Sequence, residues 1–398
     1  MKIIAKRAIS SFMAITVVCL LAISGASSGK QNGKPFTENA WTVAIYVCAD
    51  NNLEPYWGDG SLAMLLNIPQ SESVEFIAYV DIMSTSETQI VEIDGGEAVV
   101  LETLPEKNFG DGATFQWFLE DVSVRCEAEN LAVIAWDHGG AWRGFCHDST
   151  SGDQIRPIEM REAIVGAGVD IDILGFDACM CACIETAYEA AASELVDLMV
   201  ASEELVDYDG FPYDLMFTPL ALDPEKTAID VAFDMVDGWA AHYSENEWAW
   251  FATLGVIDVS VILDGIDAID DWTEGMLEGL PEHLTDYKSA LRDSSSVSCV
   301  SHYQADMVDL GRHLLALDSV AEDTELAEAI QTMMDCIDEA ILYVYNPERK
   351  ADSTGLSILW AIHDAWSNSA ENYALWTSFA VDTSWPEFLT QYNLLAAG

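Results

Sequence analysis

The sequence predicts an α/β fold in which a mostly parallel sheet is covered by helices on both faces. Short apolar runs such as Thr42–Cys48 and Leu131–Trp136 are typical of strands buried on both faces. Segments with helical spacing, such as Thr114–Val124, alternate with these runs along the chain. This alternation favours parallel strands joined by helical crossovers.

Each strand is predicted from a short apolar run, and one pair from a turn signal. Asp94-Gly95-Gly96 separates two such runs and predicts a hairpin, because glycine accepts the backbone angles of tight turns. The predicted strands, in chain order, are Thr42–Cys48, Phe76–Asp81, Gln89–Ile93, Ala98–Leu101, Leu131–Trp136, Ile171–Phe176, Leu198–Ala201, Thr253–Asp258 and Gly355–Trp360.

The helices are predicted from apolar residues that recur every three or four positions. The predicted helices are Thr114–Val124, Ile158–Val165, Met180–Ala192, Ala228–Tyr243, Ile262–Gly279 and Glu325–Tyr345. The pattern becomes richer in helices after Pro219, which indicates a weak boundary near residue 220. We expect residues 221–398 to form a helix-rich region that packs on residues 36–220.

Composition excludes several classes of protein. Half of the 398 residues are hydrophobic (51%), so the chain can bury a core and is not disordered overall. The 68 acidic residues outnumber the 16 basic ones, which gives a formal charge of −52. Such a surface repels phosphate, so general binding to nucleic acid is excluded. The acid excess favours cationic partners, or strong salt in which self-repulsion is screened.

The N-terminus has the order of a secretory signal. Lys2, Lys6 and Arg7 precede an apolar run from Ala8 to Ile23, and small residues follow up to Ser28. The apolar run is shorter than the roughly 20 residues that a membrane-spanning helix needs, which favours cleavage over a retained anchor. We therefore expect residues 1–28 to be a signal peptide and the protein to be secreted or at the cell surface, on a membrane only if this segment is retained.

Two predicted strands end in residues suited to nucleophilic catalysis. Leu131–Trp136 runs into His138 and two glycines, and Ile171–Phe176 runs into Cys179. The carboxyl ends of parallel strands meet at one edge of the sheet, where open α/β proteins bind their ligands. An imidazole beside a Cys and a helix that begins just after it both change the pKa of the thiol and stabilise the thiolate. Spacing alone also allows a buried cysteine and an unrelated histidine.

Here the chain resembles a known family. The segments WDHGGAWRG and ILGFDACMCACIETAYE look like the two signature blocks of the clostripain-like (C11) cysteine peptidases, of the caspase and gingipain clan. The stretches YVCADNNLE, ASEELVDYDGFPYD and GLSILW agree in the same order. The resemblance implies a caspase-like α/β/α sandwich, with residues 36–220 as its catalytic core. It also implies a cysteine endopeptidase whose catalytic dyad is His138 and Cys179.

The resemblance assigns further roles around the dyad. The backbone amides of Gly139 and Cys179 are candidates for the oxyanion hole. Family members commonly cleave after Arg or Lys, which calls for carboxylates in the substrate pocket. Asp177 is the first candidate, followed by Asp207 and Asp209, although a chain with 68 acids places carboxylates in many loops. The resemblance implies no third catalytic residue, and Asp137 is interpreted as structural.

The chemistry of a Cys–His dyad requires no cofactor. Some relatives depend on calcium, and acidic loops offer suitable oxygens, but the chain has no EF-hand pattern. Cys179, Cys181 and Cys183 form a C-x-C-x-C pattern that binds soft metals in other proteins. A helix would spread these cysteines around its axis, so we assign no metal ligands.

Three functions remain open at this stage. The leading one is a secreted, monomeric endopeptidase that cleaves peptides or proteins after Arg or Lys. The second is a catalytically inactive exported relative that binds cationic peptides. The third is a thiol or metal-binding module centred on the three cysteines.

Overall fold

A nine-stranded sheet forms the centre of the molecule. The computed structural model describes residues 39–244, 251–294, 296–297, 304–361 and 364–396. The predicted signal peptide, residues 1–28, lies outside them. The strands are β1 (Asn39–Ala49), β2 (Val74–Ile82), β3 (Glu87–Asp94), β4 (Glu97–Pro105), β5 (Ala128–Trp136), β6 (Phe145–Asp148), β7 (Asp153–Ile155), β8 (Ile171–Asp177), β9 (Val196–Ala201), β10 (Leu254–Asp258), β11 (Ser296–Val297), β12 (Gln304–Asp306), β13 (Ile341–Tyr345) and β14 (Ser357–Leu359).

The centre of this sheet is parallel and its two edges are antiparallel. The strand order is β13-β10-β9-β8-β5-β1-β2-β3-β4. Strands β9, β8, β5, β1 and β2 pair with one another in parallel, whereas the pairs β9–β10, β10–β13, β2–β3 and β3–β4 are antiparallel. The apolar runs of the central strands are buried on both faces, as the sequence predicts.

Helices pack against both faces, so the fold is an α/β/α sandwich. Side chains of β1 alternate between the two cores: Tyr46 contributes to one and Ile45 to the other. The helices of the first core include Gly112–Arg125, Pro157–Ala167, Ile184–Ala192, Val259–Asp264, Ile266–Asp293, Met307–Leu315, Thr324–Ala340, Ala370–Trp376 and Trp385–Ala396. The helices of the second core include Leu62–Leu65, Tyr213–Leu222 and Ala228–Tyr243.

Strands from both sides of residue 220 share the main sheet. β10 is antiparallel to β9, and β13 is antiparallel to β10. The region after residue 220 is rich in helices, as predicted, and the described residues form one compact unit. In the part of the chain that the structure describes, no helix has both the length and the apolarity to cross a membrane.

Four predicted elements differ from the structure. The helix predicted over Ile262–Gly279 is two helices, Val259–Asp264 and Ile266–Asp293, separated at Gly265. The helix predicted over Glu325–Tyr345 ends at Ala340, because the β-branched and aromatic residues that follow pair with β10 as β13. The predicted strand at Gly355–Trp360 is β14, which lies in a separate three-stranded sheet with β11 and β12. The helix predicted from Met180 begins only at Ile184.

The late start of that last helix has a local cause. The backbone N–H of Met180 donates to the carbonyl of Glu204 at 2.8 Å, and that of Ala182 donates to Ser202 at 3.0 Å. These long-range bonds hold residues 180–183 away from helical geometry. The helix dipole therefore begins several residues after Cys179 and not directly behind its sulfur.

The topology also fixes where a site can form. β2 lies on one side of β1, whereas β5 lies on the other side and continues to β8 and β9. The strand order therefore reverses between β1 and β5. Open α/β sheets bind ligands at such a reversal, beyond the carboxyl ends of the strands.

Candidate active site

Three neighbouring parallel strands deliver the polar residues of the site. Asn52 follows β1, His138 follows β5 and Cys179 follows β8. Trp136 pairs with Asp177 in the sheet, and the Asp137 N–H donates to the Asp177 carbonyl at 3.2 Å. The chain segments that carry the imidazole and the thiol therefore leave the sheet side by side.

The His138 ring is held by Asn52. Its Nε2 lies 3.0 Å from the side-chain amide oxygen of Asn52. Because an amide oxygen only accepts, this contact assigns the proton to Nε2 and leaves the lone pair on Nδ1. Burial, and to a smaller extent the nearby His147, lower the pKa of His138. The ring is therefore a neutral imidazole at neutral pH, which is the form of a general base.

The Cys179 sulfur faces a backbone amide. The thiol is half-buried, and the Val206 N–H points to Sγ at an N–S distance of 3.3 Å. An N–H donor stabilises a thiolate over a thiol. The next residue, Met180, has a φ of +59°, a left-handed conformation that is uncommon for residues with a Cβ. This turn takes the chain away from the sheet directly after the sulfur.

Gly139 lies against the backbone of Cys179. A Cβ at this position would lie 2.1 Å from the Cys179 carbonyl oxygen and 2.9 Å from its nitrogen. Glycine is therefore required by close approach of two backbones. The contact places the backbone amides of Gly139 and Cys179, the predicted candidates for an oxyanion hole, close together in the site.

Asp137 supports the site from inside the protein. Its carboxylate accepts from the Asn51 side chain at 2.7 Å and from the backbone N–H of His147. Burial raises the pKa of Asp137 to about 8, although these donors act in the opposite direction. Asn51 also donates to the carbonyls of Cys48 and His147. Asp137 thus joins the loops after β1 and β5.

His138 and Cys179 line one cavity of about 420 Å³. Its wall combines apolar and aromatic side chains with carboxylates, and no Lys or Arg is among the described residues that line it. The lining residues are Leu53, Tyr56, Trp136, Asp137, His138, Asp177, Cys179, Leu205, Val206, Asp207, Tyr208, Gly210 and Phe251. The rings of Tyr56 and Tyr208 stack with centroids 4.8 Å apart, which joins the loop after β1 to the loop after β9.

Asp177 forms a buried acidic part of the cavity wall. Its two oxygens accept from the Phe211 N–H and the Tyr213 hydroxyl, each at 3.0 Å. Burial raises the pKa of Asp177 to about 7, against the effect of these two donors. Each carboxylate oxygen keeps a further lone pair, so the group can still accept from a cationic ligand.

The structure separates the other two predicted pocket acids. Asp207 is half-buried and lines the cavity. Asp209 is exposed, lies outside the cavity wall, and approaches His242 with an O–N distance of 3.6 Å. One β-turn thus directs two nearby carboxylates to different places.

The C-x-C-x-C segment does not gather its sulfurs into a metal site. Cys181 and Cys183 are buried, whereas Cys179 is half-buried at the cavity. Burial raises the pKa of Cys181 and Cys183 well above the ordinary range, which opposes thiolate ligands. Within the described ranges, no cysteine belongs to a cluster of three or more potential metal ligands, and the seven described cysteines are free thiols.

Two contributors to the site were not predicted from the sequence. Asn52 lies in the stretch YVCADNNLE, at the end of β1, so its position beyond a strand was a usable signal. Val206 acts through its backbone N–H, and no residue type encodes that contact.

The sheet with a His and a Cys beyond adjacent parallel strands is the arrangement of the caspase-like cysteine peptidases. The model of the clostripain family, C11, matches residues 45–392. The chain belongs to the clostripain family.

Individual relatives agree with this assignment. Clostripain of Hathewaya histolytica is 25% identical over 218 residues, which are 44% of this chain and 41% of that protein. The match thus spans well under half the length of this curated relative.

Solved structures share the fold. A secreted C11 cysteine protease from Bacteroides thetaiotaomicron, in complex with an irreversible peptide inhibitor, has a TM-score of 0.66 and 17% identity, covering 87% of this chain and 99% of that one. An inactive zymogen C11 protease from Parabacteroides distasonis has the same TM-score and identity, covering 88% and 99%.

Proposed function

We propose that this chain is a cysteine endopeptidase that hydrolyses peptide bonds through Cys179 and His138. The observation that carries this proposal is that the side chains of Cys179 and His138 line the same cavity, beyond two adjacent parallel strands. Family membership supports the same chemistry.

The first half of the reaction forms an acyl-enzyme. The Nδ1 of His138 takes the proton from the thiol of Cys179, and the sulfur attacks the scissile carbonyl carbon. The backbone amides of Gly139 and Cys179 stabilise the oxyanion that forms. The imidazolium then protonates the leaving amine, the C–N bond breaks, and a thioester remains on Sγ.

The second half regenerates the enzyme. The neutral imidazole removes a proton from water, and the resulting hydroxide attacks the thioester carbonyl. The C–S bond breaks, the carboxylic acid product leaves, and the thiolate regains its proton from His138. The contact between Asn52 and Nε2 holds the ring in the orientation that both halves use.

We assign the substrate pocket to Asp177 and Asp207. An Arg or Lys side chain places its aliphatic stem on the apolar wall, which includes Leu205, and its charge near the two carboxylates. In the described part of the chain, no Lys or Arg lines the cavity to oppose that charge. Because Asp209 lies outside the wall, we leave it out of the pocket and expect cleavage after Arg or Lys without its help.

We propose that the protein acts outside the cytoplasm as a monomer on peptides or proteins with basic residues. Residues 1–28 have the order of a signal peptide. The similar Bacteroides thetaiotaomicron protease is described as secreted, which agrees with export.

Fluorogenic peptides with Arg, Lys, Asp or Phe before the bond test this proposal. We expect turnover of the Arg and Lys peptides, and loss of that turnover in Cys179→Ala. Cys181→Ala and Cys183→Ala are matched controls from the same segment and should retain most of the activity. Loss of activity in all three variants together with bound stoichiometric metal would instead support a metal-binding module.

The same cavity also suits a second candidate, an inactive relative that binds cationic peptides, because its acidic wall attracts them without chemistry. Fluorescence anisotropy with a labelled Arg peptide separates the two. Binding to the unmodified chain without any hydrolysis would favour the inactive relative.

A further inference from the structure

Three buried carboxylates meet beside the candidate active site, and the proposed peptidase chemistry does not use them. Asp50 follows β1, Asp81 lies in β2 and Asp148 ends β6. One oxygen from each lies within 4.8 Å of the others, and all three side chains are almost inaccessible to solvent. Among the described residues, this is the only such cluster of three or more potential metal ligands.

The hydrogen bonds of the cluster are incomplete. Asp148 is satisfied, since its oxygens accept from the N–H groups of Ser151 at 2.7 Å and Phe109 at 3.0 Å. Both oxygens of Asp81 and Oδ1 of Asp50 are buried and have no hydrogen-bond partner within ordinary distance and angle limits. Buried carboxylate oxygens without donors are strongly unfavourable unless a cation binds them or a proton neutralises them.

Electrostatics adds to this imbalance. Burial, followed by the neighbouring charges of Asp148 and Asp50, raises the pKa of Asp81 to about 8, against the effect of the Ile82 backbone N–H. None of the largest contributions to this shift comes from a Lys or Arg. A bound cation would relieve both the repulsion and the missing hydrogen bonds.

We propose that Asp50, Asp81 and Asp148 form a buried site for a hard divalent cation, with Ca²⁺ favoured over Mg²⁺. The potential ligands are all carboxylate oxygens, which suit hard cations, and no His or Cys joins them as zinc would prefer. Mg²⁺ usually keeps several of its waters and binds only one or two carboxylates, whereas Ca²⁺ accepts sites built from several protein oxygens. Three clustered carboxylates that are almost inaccessible to solvent therefore favour Ca²⁺.

The site lies behind the segments that position the catalytic imidazole. Asp50 directly precedes Asn51, which binds Asp137, and Asn52, which binds His138. Asp148 directly follows His147, whose backbone N–H donates to Asp137. A cation bound here ties β1 to β6 and fixes both segments, so it acts by positioning and contacts no substrate.

Binding is testable without catalysis. The chain with Cys179→Ala, freed of metal with EDTA, is titrated with CaCl₂ or MgCl₂ by calorimetry in 0.5 M NaCl, which screens weak binding to surface acids. We expect one Ca²⁺ per chain, tighter binding of Ca²⁺ than of Mg²⁺, and a melting temperature that rises with Ca²⁺ concentration. Tighter binding of Mg²⁺ would overturn the preference for Ca²⁺.

Variants locate the site. Asp81→Asn should abolish the saturable binding and the thermal shift. Asp50→Asn should raise the Kd for Ca²⁺ at least tenfold and reduce the thermal shift. Asp59→Asn, an exposed acid of the same type, should change neither. Metal-free Asp81→Asn should melt at or above the temperature of the metal-free parent, because it leaves one acid fewer in a buried cluster of three.

Two results would overturn the site: no saturable binding of either ion by the parent, or equal binding by the parent, Asp50→Asn and Asp81→Asn. The measurements use a chain without the thiol nucleophile. They therefore stand whether or not the peptidase proposal holds.

Discussion

The side-chain oxygen of Asn52 lies 3.0 Å from Nε2 of His138, across the point where the strand order of the sheet reverses. The imidazole is therefore oriented by an amide from the loop after the neighbouring strand, while the adjacent Asp137 bonds to Asn51 and to the His147 backbone. In this arrangement a neutral side chain fixes the tautomer of the candidate base, and the nearby acid supports the loops.

Replacing Asn52 with Ala should lower kcat about 10- to 100-fold with little change in KM, because a misoriented base is a poor proton acceptor. Asn52 is exposed, so we expect the melting temperature to stay nearly constant. Steady-state kinetics on an Arg peptide and a thermal melt measure both quantities.

The pH profile separates positioning from a general structural effect. Without Asn52 the His138 ring is better solvated, so its lowered pKa should return upward and the acidic limb of kcat/KM should move to higher pH. Asn52→Gln keeps the amide oxygen and should recover part of the rate. Asn67→Ala, at another exposed asparagine, is the control. An unchanged kcat in Asn52→Ala would contradict the assigned role.

Ionisation of Asp177 should control the preference for a cationic substrate. The carboxylate is protonated below its pKa of about 7 and charged above it. The ratio of kcat/KM for an Arg peptide to that for its neutral citrulline analogue should rise about tenfold between pH 6 and pH 8. The ratio cancels the ionisation of His138 and Cys179, which both substrates share. A ratio independent of pH would remove Asp177 from the pocket.

The same pKa predicts a trend in stability. Because burial raises the pKa of Asp177 above its value in the unfolded chain, the folded protein holds this proton more tightly. The contribution of Asp177 to the free energy of unfolding should therefore fall as pH rises from about 4 to about 7. Urea titrations of Cys179→Ala with and without Asp177→Asn measure the two free energies of unfolding. The free energy of unfolding of the Asp177→Asn variant minus that of its parent should rise with pH over this range.

Asp207 and Asp209 provide a matched pair for substrate selection. Asp207→Asn should lower kcat/KM for Arg peptides about five- to tenfold, since a half-buried partner of the guanidinium charge is lost. Asp209→Asn removes the same charge two residues away, outside the cavity, and should have almost no effect. Equal losses in the two variants would indicate a long-range field effect and no specific pocket.

The charge of −52 predicts stabilisation by salt. Screening weakens repulsion among the acidic residues, so the melting temperature should rise by several degrees between 10 mM and 1 M KCl. Sucrose at matched osmolality is the control for non-ionic effects. A melting temperature that responds equally to sucrose and KCl would contradict an electrostatic origin.

Local patterns in the sequence predict much of the fold. The apolar runs before Asp137 and Asp177 locate β5 and β8, and the positions beyond these strands locate His138 and Cys179. The prediction of a mostly parallel sheet with flanking helices is confirmed. The helix predicted from Met180 was wrong because long-range backbone bonds to residues 202–204 outweighed its local preference.

The sequence by itself determined the fold class, the strands that lead to the candidate dyad, and the acidic surface, because each depends on residue type and local spacing. Only the tertiary structure decided that Asn52 holds His138, that Asp209 lies outside the cavity, and that Asp148 joins Asp50 and Asp81. These relationships depend on where loops far apart in the chain come together, and loop geometry is set by packing and long-range hydrogen bonds that no local pattern records.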